Sequence, residues 1–284
     1  MTRRDLLLAA CAPGLRAEGS GAVRVRVLEL FHPQTAELAA AGGGRVRLET
    51  ARGERTIEGA QRYEATLEGG VVRGAGAPVR VRLEGRIERV YPGPVEVTPE
   101  GGELRLVATL ELEAAVAAIV AAEAGPRAPR EAQRAQAIAA RSFLLAAKGR
   151  HQGYAFCDTT HCHHLTEADA ESVEAARATA GLRLLYRGAP VEALSTRRCG
   201  GETRTPAETG LSGGRGYPYF PAVCEPCRKH PSAWRREWPA EQVRAVIERP
   251  GAEGARLEVV RRLGWSALPS NEYSVEVERE GYVM

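Results

Sequence analysis

No apolar run in this 284-residue chain reaches the roughly 18 to 20 residues that a membrane-spanning helix needs. Strong charge is missing too. Lys and Arg number 39 against 36 Asp and Glu, a net charge of +3. That suits a loose affinity for an anionic polymer and is too weak to argue for nucleic acid, so none is expected as a partner. No internal repeat is visible. Cysteine and histidine are scarce, six of each, and their placement is therefore informative. Two of the cysteines and three of the histidines fall within eight consecutive positions, Cys157 to His164. What remains is an ordinary globular composition, in a chain long enough for one large domain or two small ones.

The N-terminal residues 1–21 have the grammar of an export signal: a basic start at Arg3 and Arg4, a short apolar stretch, and a small-residue site at Leu15-Arg16-Ala17. The twin arginine resembles a Tat signal, and "LAAC" ending at Cys11 resembles a lipoprotein cleavage box. The expected location is the cell envelope or periplasm, with Cys11 as a site for a lipid anchor. Residues 22–110 alternate apolar and charged side chains with period two, as in "AVRVRVLELF" and "VRVRLEGRI", between Gly- and Pro-containing breaks. They read as a β-rich domain.

At residue 111 the period changes. "ELEAAVAAIVAAEAG" puts Leu112, Ala115, Val116, Ile119 and Val120 on one helical stripe. A Gly-Pro break follows, then a second helix, "REAQRAQAIAARSFLLAAKG", with Gly149 as its C-terminal cap. A third helical stretch, "TEADAESVEAARATAG", precedes the strands "LRLLYRG" and "PVEALSTR". From Cys199 onward, Gly, Pro and aromatics dominate, as in binding loops. The expected class is α+β: a β-rich N-terminal part, then a mixed helix and strand region with Gly/Pro-rich loops over 111–284.

Glu123 interrupts the pattern. It continues the stripe of Leu112, Val116 and Ile119, and so puts a carboxylate on an apolar face at a helix end. Desolvation there raises a carboxyl pKa, the condition a general acid requires. The bland alternative is a helix-end glutamate reaching solvent. For the 157–164 cluster three chemistries stand open: a metal site, a Cys157–Cys162 disulfide, and a Cys–His nucleophilic pair.

Read together, "AAVAAIVAAEAG…PREAQRAQAIAARSFLL", "YAFCDTTHC", "GLRLLYRGAPVEALSTRRCGGET" and "YPYFPAVCEP" resemble, in order and approximate spacing, the SpoIID/LytB family of bacterial cell-wall proteins. The resemblance covers roughly residues 23 to 238 and is strongest over 118–145 and 154–203. It implies a lytic transglycosylase that cuts peptidoglycan glycan strands, preferring strands stripped of stem peptides. It assigns the catalytic acid to Glu123 and a structural zinc site to His151, Cys157, His161 and Cys162. Two thiolates and two imidazoles make a closed tetrahedral set, leaving no position for a reacting water. "STRRCGG" departs from the family's common "STSGG", with Cys199 in place of a serine.

Around that reaction, Gln136 and Arg141 on the facing helix are the expected helpers. Thr159, Thr160, Ser195, Tyr217 and Tyr219 are candidate sugar contacts, and His163 and His164 are left over. Cys199, Cys224, Cys227 and His230 form a second set, open to a disulfide, a second zinc site or a redox CxxC. Two other functions compete: a non-catalytic wall-binding protein that enhances an amidase, and a zinc hydrolase of peptidoglycan amide bonds.

Overall fold

A computed structural model describes residues 6–9, 21–125, 127–146, 151–159, 161–193, 199–205, 217–230, 237–239, 276–278 and 281–283. The chain divides into two compact units, Met1–Leu194 and Ser195–Met284. The fold is α+β, with the strands concentrated before residue 111 as the alternation predicts.

The larger sheet of the first unit takes, in order, Phe156–Cys157, Ala22–Val27, Glu103–Glu111, Val95–Glu100, Val72–Gly76, Arg45–Thr50 and Gly53–Glu58. A second sheet orders Arg62–Thr66, Thr35–Ala40, Val79–Leu83 and Ile87–Tyr91. The period-two pattern does what it should. Val23, Val25 and Val27 point inward while Arg24 faces out. Inward residues of both sheets join the helices in one buried cluster that includes Leu38, Val81, Leu106 and Ile119.

The Glu103–Glu111 strand runs directly into α1 (Leu112–Glu123). The α1 helix is buried on more than a stripe, at Leu112, Ala115, Val116, Ala117, Ile119 and Val120. It packs against α2 (Arg130–Ala146) and α3 (Ala170–Ala178) as well as its own strand. The alanines let these helices come close. Gly125, at φ +75°, reverses the chain between α1 and α2 in a conformation costly for other residues. Asp169 caps α3, accepting from the Ser172 N–H while the Ser172 hydroxyl returns the bond, which ends the preceding loop sharply.

Several expectations need placing. The "PVEALSTR" strand is reduced to Ala189–Pro190, paired with Leu185 and Tyr186; residues 191–193 carry no strand, and 194–197 lie outside the described residues. Gly149 lies outside them too. Within the stretch read as an export signal, Leu6–Ala9 forms a strand antiparallel to Arg183–Tyr186; residues 1–5 and 10–20 are not described. The second unit pairs Glu202–Thr203 with Ala222–Val223, followed by α4 (Glu225–Lys229).

Arg141 is a correction. Expected as a sugar contact, it is 1% exposed and its donors all go to protein. Nε and Nη2 donate to the two oxygens of Glu113 on α1 at 2.8 and 2.6 Å. Nη1 donates to the Leu182 carbonyl and Nη2 to the Ala176 carbonyl, each at 3.0 Å. One guanidinium therefore ties α1, α2 and the end of α3 together, because its planar fork can satisfy a carboxylate and two carbonyls at once.

Arg141→Met is expected to destabilise the fold by about 2–4 kcal/mol, since it strands those carbonyls and the Glu113 partner. Arg134→Met, which removes only the exposed pair with Glu131, should stay within about 0.5 kcal/mol. Denaturant unfolding of both variants measures this. An unshifted midpoint for Arg141→Met, with glycan binding lost, would restore the sugar-contact role.

Candidate functional site

The site begins at the edge of the larger sheet. Phe156 and Cys157 pair in parallel with Val25 and Arg26. Flanking bonds extend the register: Ala155 N–H to the Arg24 carbonyl at 2.8 Å and Asp158 N–H to the Arg26 carbonyl at 3.0 Å. The Asp158 side chain then accepts from the Leu28 N–H at 2.6 Å. Burial pushes the Asp158 carboxyl above its usual range, against the pull of the backbone bonds from Leu28 and Glu29. Further along, Thr166 N–H donates to the Ala118 carbonyl of α1 at 3.2 Å. Residues 156–166 thus run as a strap from sheet edge to helix.

Within the strap and just before it, the four side chains named by the family resemblance converge. One donor atom each from His151, Cys157, His161 and Cys162 lies within 4.8 Å of all the others. His151 Nε2 is 3.3 Å from Cys162 Sγ, and His161 Nδ1 is 3.5 Å from Cys162 Sγ and 3.8 Å from Cys157 Sγ. Ordinary zinc–sulfur and zinc–nitrogen bond lengths at tetrahedral angles separate donors by roughly 3.3–3.8 Å. These three separations match those of such a donor set. No disulfide joins Cys157 to Cys162.

The Cys162 sulfhydryl bonded to Cys157, helped by Thr159 and His161 and opposed by burial, draws the Cys157 thiol down to about 4. A thiol ready to ionise is what a metal ligand needs. Thr159, expected to touch sugar, instead holds this loop: its hydroxyl is 3.2 Å from Cys157 Sγ and accepts from the His161 N–H at 3.2 Å. The Tyr154 and His151 rings stack at 4.6 Å.

Glu123 sits at the end of α1 with its side chain 19% exposed. Gln136, one of the two expected helpers, donates from Nε2 to Glu123 Oε2 at 2.8 Å. The residue that sequence reasoning missed is His163. Left over in that reading, it is buried, with Nδ1 2.6 Å from Glu123 Oε1. Its ring stands edge-on to Phe143 of α2, with centroids 4.5 Å apart. His163 Nε2 is buried and has no hydrogen-bond partner among the described residues. A carboxylate oxygen accepts, so Nδ1 is the donor of the bond to Glu123. Glu123 is thus gripped by two nitrogen donors and still meets solvent. His164 is occupied elsewhere, its Nδ1 donating to the Asp158 carbonyl at 3.1 Å.

Tyr217 and Tyr219 belong to the second unit, clustered with Phe220; the Tyr217 and Phe220 rings stack at 4.5 Å. Ser195 and Thr160 lie outside the described residues.

Comparison with known proteins gives one family. Residues 100–186 match the model of SpoIID, described as "Stage II sporulation protein". The matched stretch contains Glu123, Gln136, His163 and all four clustered donors. No curated protein matches the chain.

The thiol geometry is testable in the reduced, chelator-treated chain. Because the Cys157 pKa is lowered to about 4, its thiolate fraction is already full at neutral pH. Its alkylation rate by iodoacetamide, followed by peptide mass mapping, should be nearly flat between about pH 6 and 8. Cys199, whose thiol burial pushes up, should react about tenfold faster per pH unit over the same range. A Cys157 rate climbing in parallel with Cys199 contradicts the geometry.

Proposed function

We propose, from the SpoIID segment this chain carries and the held carboxyl group of Glu123, that the protein is a lytic transglycosylase of peptidoglycan glycan strands. The observation that carries the reading is the Glu123 grip: a part-buried carboxyl, open to solvent, with Gln136 and His163 on its two oxygens. Both gripping side chains are nitrogen donors, suited to stabilising the carboxylate form of Glu123. Glycosidases that use water or a covalent intermediate need a second carboxyl group. A transglycosylase needs one, because the sugar supplies its own nucleophile.

The steps balance on that single group. Protonated Glu123 gives its proton to the bridging glycosidic oxygen as the bond to the anomeric carbon breaks. The carboxylate that results accepts hydrogen bonds from Gln136 and His163, which stabilise the new charge as it forms. The C6 hydroxyl of the same sugar attacks the anomeric carbon and passes its proton to Glu123. The acid is regenerated and the product carries a 1,6-anhydro end. Intramolecular attack gives the hydroxyl a high effective concentration.

His151, Cys157, His161 and Cys162 would hold a structural zinc ion, with no open position for water. Thr159 orients that loop from outside the ligand set. The reading also puts the protein in the cell envelope or periplasm, exported and lipid-anchored at Cys11. Its partners there are peptidoglycan glycan strands, peptide-stripped ones preferred, and a cell-wall amidase or another envelope protein.

Glu123→Gln should abolish cleavage of purified, peptide-stripped strands by about 100- to 10,000-fold or more, while glycan binding and fold are kept. Gln preserves size and hydrogen bonding but delivers no proton. Glu111→Gln and Glu131→Gln serve as active controls, and mass spectrometry of the ends should show anhydro sugars from wild type. Full activity in Glu123→Gln sinks the assignment, and ordinary reducing ends would mean that water attacks.

Separately, Cys157→Ser or His161→Ala should each lose about one zinc per chain and lower the Tm. Unchanged zinc content and Tm would remove the metal from the reading. Thr159→Val should weaken zinc affinity about 10- to 100-fold without abolishing it, as read by competition with a chromogenic chelator.

A further inference from the structure

The second unit brings three more sulfurs together, and nothing in the site above uses them. The Sγ atoms of Cys199, Cys224 and Cys227 all lie within 4.8 Å of one another. Cys199 is buried and the other two are half-buried. They come from two chain stretches that a short ladder holds side by side: Glu202 pairs with Val223 and Thr203 with Ala222. One cysteine turn enters this ladder and the other leaves it.

The backbone around the sulfurs is specialised. Gly200 and Gly201 adopt φ of +70° and +108°, so the chain bends tightly straight after Cys199. The Gly201 N–H points back to the Cys199 sulfur, and its carbonyl accepts from the Cys224 N–H at 2.9 Å. A Cβ on Gly201 would stand 3.2 Å from the Arg228 backbone, one residue beyond Cys227. These glycines therefore let the first cysteine turn lie flat against the second.

A disulfide uses two sulfurs and leaves the third packed against it as an odd thiol. Core packing explains three convergent thiols poorly, because two of them are half-exposed. A soft divalent cation uses all three alike. We infer that Cys199, Cys224 and Cys227 form a second metal site, a trithiolate centre for zinc in the second unit. His230 is exposed and lies outside the group, so among the described residues the site offers three thiolates. Thr203 bonds through its hydroxyl to the Phe220 carbonyl. The metal would thus brace the loop that carries the Tyr217, Tyr219 and Phe220 rings.

The test uses the full chain, isolated under reductant, with zinc counted by plasma mass spectrometry. Cys199→Ser, Cys224→Ser and Cys227→Ser should each lower the count by about one zinc per chain. Cys157→Ser should remove a different one, and Cys157→Ser with Cys227→Ser should remove both. The second site can thus fail while the first stands, and the reverse. Should a variant fold poorly, alkylation mapping of the wild type decides. Cys199, Cys224 and Cys227 should be protected in the zinc-loaded chain and become modified together once a chelator is added. An unchanged zinc count in Cys227→Ser overturns the inference. So does equal modification with and without zinc.

Discussion

Two residues of parallel pairing hold the site together. Phe156 and Cys157 lie beside Val25 and Arg26, at the edge of a sheet whose other neighbours are antiparallel. Parallel partners far apart in sequence require a long crossover and a large loss of chain entropy before any contact is made. Here the chain between them runs through the strands of both sheets and then through α1 and α2. Closing it sets the helices on the sheet and starts the strap in register. A slip of one residue would turn Cys157 away from the three other donors and Phe156 out of the core. The β-rich first part, which carries no functional motif of its own, is therefore the template on which the site is registered.

Alanine-lined helices approach closely, and close approach leaves buried polar groups little access to water. Two solutions appear on the same helices. At Arg141 satisfaction is complete, with Glu113 and two carbonyls taking its donors, and the result is rigid and closed. At Glu123 it stops short: Gln136 and His163 hold the carboxyl while part of it stays exposed. A fully satisfied polar group serves stability alone, whereas one oriented but still accessible can also react. Exposure separates the two roles more clearly than residue type, since both groups are charged residues on helices lined by alanine.

The same distinction explains what was legible in the sequence. Period-two alternation revealed the sheets because each strand reports its own two faces. The apolar stripe of α1 revealed Glu123 because the carboxylate breaks a local pattern. Gln136 followed from the short connection, which makes α1 and α2 neighbours. The density of soft ligands marked the run Cys157 to His164, and the family resemblance added His151 and picked out the four-donor set. His163 was hidden, since its partner is forty residues away and no periodicity links a loop to a helix end. The signal available was the excess itself, a histidine beyond the four that a closed metal site needs. Arg141 was misread for a related reason: a sequence shows that a guanidinium lies on a helix but not whether water or a carboxylate and two carbonyls surround it.

The proposed metal and the proposed acid meet in His163. The ring is wedged against Phe143 and bonded to Glu123, so its position sets that of the carboxyl oxygen it touches. His163 immediately follows Cys162, and among the described residues no helix or strand lies between Cys157 and α3. The strap is anchored at the sheet edge and again at Ala118, with His163 between the two anchors. An unbraced loop of this length would let the ring wander by an ångström or so, and displacement on that scale can cost about a hundredfold in rate. Four ligands gathered just upstream remove that freedom. On this view the metal acts on catalysis without touching substrate, by fixing the one imidazole that aims the acid.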